Sequence, residues 1–205
     1  MASLYFYYST MNAGKSTQLL QAAYNYEEHG RVVWVIKPKL DHRDGVGVVS
    51  SRIGLRREVE TFEGEDDLYE WFKKVQASSS QTIVAVFVDE AQFLTQDQVR
   101  QLSDIVDTMK IPVLCYGLRT DAFGHLFPGS AALLGWADNV LEIKAMCQYC
   151  TSKATMAFRV NEHDLIVGDG NSIEIGGNDR YHACCRRHWK QALNLVGQPS
   201  HLLQK

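Results

Sequence analysis

Through its first 145 residues the chain alternates short apolar runs with segments whose apolar residues recur at helical spacing, and few folds accommodate that alternation. Residues 4–8, 32–36, 83–88, 113–116 and 140–143 are apolar at nearly every position, as strands buried on both faces require. Between them the period changes. Leu68, Trp71, Phe72 and Val75 fall at i, i+3, i+4 and i+7. Val99, Leu102, Val106 and Met109 form a similar stripe behind a Thr95–Gln98 pair that reads as a capping box, and Leu19, Leu20, Ala23 and Tyr26 mark a helix starting near Lys15. This order predicts right-handed βαβ crossovers and a doubly wound parallel α/β domain over residues 1–145.

From about residue 146 glycines cluster at 168, 170, 176 and 177 and the apolar runs shorten. The text here predicts a small module of turns and short strands over 146–192, with a helix from about 188 to 196, and a frayed tail within 193–205. The 45% hydrophobic content and net charge of -3 exclude a disordered chain. No apolar run approaches the roughly 18 residues of a membrane span. Residues 1–8 lack the basic start of a signal peptide, which points to the cytoplasm. A mildly acidic chain gives no electrostatic reason to expect nucleic acid as its ligand.

Ser9, Thr10, Met11, Asn12, Ala13, Gly14, Lys15 and Ser16 stand between the first run and the first helical segment. They match the phosphate-loop pattern G-x-x-x-x-G-K-[ST] except for Ser9 in the glycine position. Successive backbone N–H groups at a helix start can cradle phosphate oxygens, Lys15 can reach the outer phosphates, and the Ser16 hydroxyl is placed for Mg²⁺. The run 83–88 ends in Asp89 and Glu90, the acidic strand end such a site needs: Asp89 for Mg²⁺, Glu90 as a base or water-orienting group. Asp41, Arg43 and Arg52 follow the second strand, where clamping phosphate and ordinary surface charge are equally open readings. No Asn-Lys-x-Asp guanine signature is present.

Five cysteines, at 115, 147, 150, 184 and 185, make a disulfide framework improbable in number and context. Cys147-x-x-Cys150 and Cys185-x-x-His188 are two short-spaced pairs across 34 residues, the pattern of a zinc ribbon with a closed Cys₃His site. A catalytic zinc of the deaminase kind would need His-x-Glu or Cys-x-Glu upstream, and the chain has neither. Cys184 lacks the spacing to His188 and is left unassigned, while Cys115 is expected as a core thiol on the fourth strand.

Taken in order, residues 9–17, Asp89 to Phe93, Tyr116 to Asp121, Ile175 to Tyr181 and the Cys/His quartet resemble the thymidine kinases shared by bacteria and the animal cytosol. The resemblance spans about residues 3–192. It implies a P-loop NTPase-like sheet followed by a zinc-ribbon module with a lasso loop, and ATP-dependent phosphorylation of the thymidine 5′-hydroxyl, with deoxyuridine as a second nucleoside. It implies Glu90 as the base, and Ser9 to Ser16, Arg52, Asp89 and Gln92 around ATP and Mg²⁺. Met11, Phe93, Leu118 and Phe127 match apolar positions around the thymine. Ile173, Glu174, Ile175 and Gly176 match the lasso, and Tyr181 matches the residue that closes over the nucleoside. The resemblance further implies structural Zn²⁺, a homotetramer and feedback inhibition by dTTP. One departure stands out: relatives carry an aromatic directly after Asp121, and this chain has Ala122 followed by Phe123, the candidate to replace it.

Overall fold

A computed structural model describes residues 1–43, 45–168 and 180–203. In chain order the first part comprises β1 (Leu4–Ser9), α1 (Lys15–Glu27), β2 (Val32–Pro38), β3 (Val48–Ser50), β4 (Arg56–Glu58), β5 (Glu60–Phe62), α2 (Leu68–Ser78), β6 (Ile83–Val88), α3 (Gln96–Met109), β7 (Val113–Leu118), α4 (Pro128–Trp136) and β8 (Asn139–Glu142). Six of these strands form one sheet in the order β5-β2-β6-β7-β1-β8, and every pairing is parallel. The predicted doubly wound α/β fold is therefore present.

The strand pattern explains the layering. Leu4 and Phe6 of β1 enter one core with Leu68 and Phe72 of α2, Leu102 and Val106 of α3, and Leu133 of α4. The opposite face packs Leu19, Leu20 and Ala23 of α1 against Val33, Val35 and Phe87. Alternate residues of a strand point to opposite faces, so continuously apolar β2 and β6 serve both cores. The predicted capping box of α3 is formed: the Thr95 hydroxyl accepts from the Gln98 N–H at 3.1 Å, and the Gln98 side chain accepts from the Thr95 N–H.

β8 departs from the expectation of strands buried on both faces. It lies at the sheet edge, and Val140 and Leu141 remain 42% and 41% exposed. Four elements had no sequence signal: β3, β4 and β5 are three residues long, and α4 is apolar all round, so it shows no stripe. Pro128 starts α4, where its missing N–H costs nothing.

After β8 come β9 (Ala145–Met146), β10 (Lys153–Ala154), β11 (Met156–Val160), β12 (Ile166–Val167), β13 (Tyr181–Cys184) and α5 (Arg186–Leu193). Antiparallel β12-β11-β13 and the β9–β10 pair carry a small core containing Phe158, Ile166, Ala192 and Leu203. α5 begins and ends earlier than the spacing predicted. The expected frayed tail is corrected as well. Gly197 N–H donates to the Ile166 carbonyl at 2.8 Å, the Ser200 hydroxyl reaches both Asp164 oxygens at 2.8 Å, and Leu203 is 3% exposed. These partners lie some thirty residues upstream, so no local pattern announces them. Among the described residues, no helix is long and apolar enough to cross a membrane.

Candidate active site

β1 ends at Ser9 and α1 begins at Lys15, so residues 10–14 turn over the C-terminal edge of the sheet. Asn12 (φ 62°) and Gly14 (φ 84°) take the left-handed conformation that folds this loop back on itself. No side-chain hydrogen bond caps α1, and uncapped N–H groups at a helix start are what receives anions. Lys15 is buried beneath the loop, its ammonium donating to Ser9 Oγ at 3.3 Å and to the Thr10 carbonyl at 3.2 Å. Burial lowers its pKa, opposed by the carboxylates of Glu90 and Asp89. Serine in the first loop position thus supplies a resting partner for the lysine and itself donates to the Thr10 carbonyl at 2.7 Å.

The second half of the site comes from β6, two strands away across β7. The Ser16 hydroxyl donates to Asp89 Oδ2 at 3.0 Å, joining the two groups assigned to Mg²⁺. The set fits that ion: a hydroxyl and a buried carboxylate are hard oxygen donors, and phosphates and water supply the remainder of such shells. Burial, then the neighbouring Glu90 carboxylate, push the Asp89 pKa up to about 6.

Glu90 is 7% exposed and adopts φ 48°, a left-handed backbone that a non-glycine residue holds only when its surroundings fix it. Both its oxygens are engaged: Arg43 donates to Oε1 and the Gln92 amide to Oε2. Arg43 also grips Asp41, Nε to Oδ1 at 2.6 Å, and Asp41 in turn receives the buried ammonium of Lys37 at 2.8 Å. Lys37 donates further to the Val48 carbonyl at 2.8 Å, which ties the end of β2 to the β3–β4 hairpin. With both neighbours cationic, Asp41 is held below its usual carboxylate range despite burial.

These groups surround a cavity of about 280 Å³. Of the predicted residues, Met11 to Ser16, Arg52, Asp89, Glu90 and Leu118 line it together. Ser9 and Thr10 sit under Lys15. Gln92, expected around ATP, is 1% exposed and bonded to Glu90 and to the Leu118 N–H. Phe93 and Phe127 meet edge-to-face at 5.9 Å between ring centroids. Phe123 is half-buried in a loop organised by Asp121, whose Oδ1 accepts from the Phe123 and His125 N–H groups at 2.9 Å. Tyr181 is buried in β13. Ile173, Glu174, Ile175 and Gly176 lie outside the described residues. Arg43, left open by the sequence, bonds Glu90 directly. Lys37 was missed, although a lysine closing an apolar strand run is a signal for a buried ion pair.

The metal ligands predicted from spacing converge. Cys147, Cys150, Cys185 and His188 bring their donor atoms within 4.8 Å of one another. Cys147 Sγ and Cys185 Sγ lie 3.4 and 3.3 Å from His188 Nδ1, and Cys150 Sγ lies 3.9 Å from Cys185 Sγ. A tetrahedral ion with bonds of roughly 2.0–2.3 Å has ligand edges of about 3.5–3.8 Å, so the donor set fits Zn²⁺. Cys185 caps the start of α5 and His188 follows one turn later, which is why the x-x spacing points both inward. Burial lowers the His188 pKa, keeping the imidazole in the neutral form that binds metal, and hydrogen bonding from Ser152 brings Cys150 down to about 7. Cys184 is fully buried in the small core and burial raises its thiol pKa, while Cys115 is a core thiol of β7. The module also touches the first sheet's loops: the Trp189 indole donates to the Ala122 carbonyl at 3.0 Å.

The family model described as thymidine kinase matches residues 2–189. A thymidine kinase of Idiomarina loihiensis is 52% identical over 195 residues, covering 95% of this chain and all of the relative. A thymidine kinase of Pasteurella multocida is also 52% identical, with the same coverage. One from Aliivibrio fischeri is 49% identical over 193 residues, 94% of this chain and 99% of the relative.

Proposed function

The chain belongs to the thymidine kinase family and catalyses ATP-dependent phosphorylation of thymidine, and we propose that the cavity between the phosphate loop and Glu90 is where the transfer occurs. The observation that carries this reading is the meeting of Lys15, the Ser16–Asp89 pair and Glu90 in one enclosed space. ATP lies with its phosphates on residues 9–16, and Lys15 exchanges its contacts with Ser9 and Thr10 for phosphate oxygens. Ser16 and Asp89 would hold Mg²⁺, which would supply neutralisation of the phosphate charge. Glu90 takes the proton of the thymidine 5′-hydroxyl as that oxygen bonds to the γ-phosphorus. The bond from that phosphorus to the β–γ bridging oxygen breaks, and ADP leaves with the electron pair. Arg43, resting on Glu90, and Arg52, on the hairpin side of the cavity, are the cations within reach of the transferring group.

The thymine lies against Met11, Phe93, Leu118 and Phe127. Phe123 stands in for the missing family aromatic, and residues 173–176 with Tyr181 close over the nucleoside. Zinc on Cys147, Cys150, Cys185 and His188 is structural, because four protein ligands leave no open position. The enzyme works in the cytoplasm as a homotetramer, accepts deoxyuridine as a second nucleoside, and is inhibited by dTTP at the nucleoside site. Light scattering that gave a monomer, or a rate unchanged by millimolar dTTP, would remove those two readings respectively.

The test is ADP release measured with a panel of nucleosides at fixed ATP. Release that depends on thymidine is expected, and release without any nucleoside at the same rate would sink the assignment. In the same assay Glu90→Gln lowers kcat by about 10²–10⁴-fold, the range general bases contribute. Near-normal turnover in that variant would remove Glu90 from the mechanism.

A further inference from the structure

Gln92 stands two residues after the base, yet it does not line the cavity and is only 1% exposed. Its orientation is fixed by chemistry. The Leu118 backbone N–H, 2.9 Å from Oε1, can only donate, so the carbonyl end of the amide must face it and the NH₂ end must face Glu90 Oε2. Leu118 is the last residue of β7, and its own carbonyl is held by the Ser130 hydroxyl at 2.5 Å. The approach is tight: a Cβ on Gly117 would lie 3.0 Å from both the nitrogen and Oε1 of Gln92. The amide is therefore a strut from the rigid end of β7 to one oxygen of the base.

The other oxygen has a partner of a different kind. Arg43 is charged, lines the cavity, and meets any phosphate that enters. A guanidinium can transfer to the paired oxygens that a phosphate offers, whereas the Gln92 amide is enclosed and tied to the Leu118 N–H. One partner can be exchanged for substrate and the other cannot.

We propose that Gln92 is a positioning residue that keeps the Glu90 carboxylate aimed at the acceptor hydroxyl throughout turnover, and that it is not a nucleotide contact. The proposal rests on reading Glu90 as the base. It is tested with Gln92→Met, which keeps the volume and removes both arms, and Gln92→Glu, which keeps an acceptor for Leu118 and removes the donor to Glu90. Steady-state kinetics are measured for both, and for each combined with Glu90→Gln, on protein whose thermal midpoint is recorded alongside. Both single variants are expected to lose about 10–100-fold in kcat with KM for ATP and thymidine within about twofold, a share of what a general base supplies. Neither should lower kcat further in the Glu90→Gln background, because the residue acts only through that carboxylate. A raised KM for ATP at unchanged kcat, or losses that multiply in the double variants, would overturn the proposal. Failure of the base assignment looks different, since Glu90→Gln alone would then turn over normally.

Discussion

Gly129, in the first turn of α4, is where one methyl group should disturb the chemistry from outside the site. A Cβ there would lie 2.6 Å from the Ala91 carbonyl oxygen, 2.7 Å from that of Leu94 and 2.8 Å from that of Gln92. All three belong to the short helical turn that follows Glu90 and carries Gln92. Carbon–oxygen contacts settle near 3.3 Å, so in Gly129→Ala either α4 or the turn must recede by roughly 0.5–0.7 Å. Ser130, the next residue, anchors the Leu118 carbonyl, and Leu133 is buried in the main core, so α4 has little freedom to yield. The turn moves instead, and Glu90 with it. Overpacking of this size costs about 1–3 kcal/mol, which for a domain of this length corresponds to a fall in Tm of roughly 3–9 °C. A misplacement of about 1 Å can cost 10²-fold in rate, so half that shift should lower kcat by about tenfold. Differential scanning calorimetry and ADP release, run on the same preparation, measure both. A variant with the parental Tm and kcat would refute the close packing of α4 on the turn and the dependence of the base upon it.

Three further outcomes follow from the site and the module. With Asp89 pushed up to about 6, a proton occupies the carboxyl below that pH and removes a Mg²⁺ ligand. The kcat/KM for MgATP should then fall on an acid limb near 6, and a limb near 4 would contradict this. Metal analysis of the purified protein should give about one zinc per chain, falling well below one in Cys185→Ser together with a lower Tm; zinc far below stoichiometry in the parent protein would refute the site. Leu203→Ala should destabilise the small module by about 2–5 kcal/mol, as a fully buried leucine does, and zinc release to a chelator should accelerate. A tail that merely frays would leave both measurements unchanged.

What the sequence made legible was whatever repeats or clusters locally. Continuous apolar runs announced five of the six strands of the main sheet, of which four are interior strands covered on both faces. The phosphate loop and the Cys/His pairs were legible for the same reason: each closes its geometry within nine residues or fewer. α4 escaped because Pro128–Trp136 has no polar face to set a period, and the docked tail because Asp164 and Ile166, which hold it, are distant in sequence. The partners of Gln92 were not legible in the sequence either. Its neighbours in the chain, Asp89 and Glu90, face the cavity, but a left-handed residue at position 90 reverses the chain and turns Gln92 back toward β7.

The charges of the site follow the same logic and explain why overall composition says so little about the substrate. Among the described residues, Lys15, Lys37, Arg43 and Arg52 line the cavity against Asp41, Asp89 and Glu90, four cations to three carboxylates. Lys37 pairs with Asp41, and Arg43 with Asp41 and Glu90. The nearly balanced cavity is consistent with a chain of net charge -3, and neither figure advertises a polyphosphate site. Yet MgATP brings only about two net negative charges, and in a buried site one surplus cation plus a loop of N–H donors can meet most of that demand. On the proposed mechanism, Arg43 turning from Glu90 to phosphate would strengthen the grip on the transferring group and free one oxygen of the carboxylate. Coupling of that kind needs the base to keep its aim after its charged partner has gone, and the buried amide of Gln92 is the group in place to hold it.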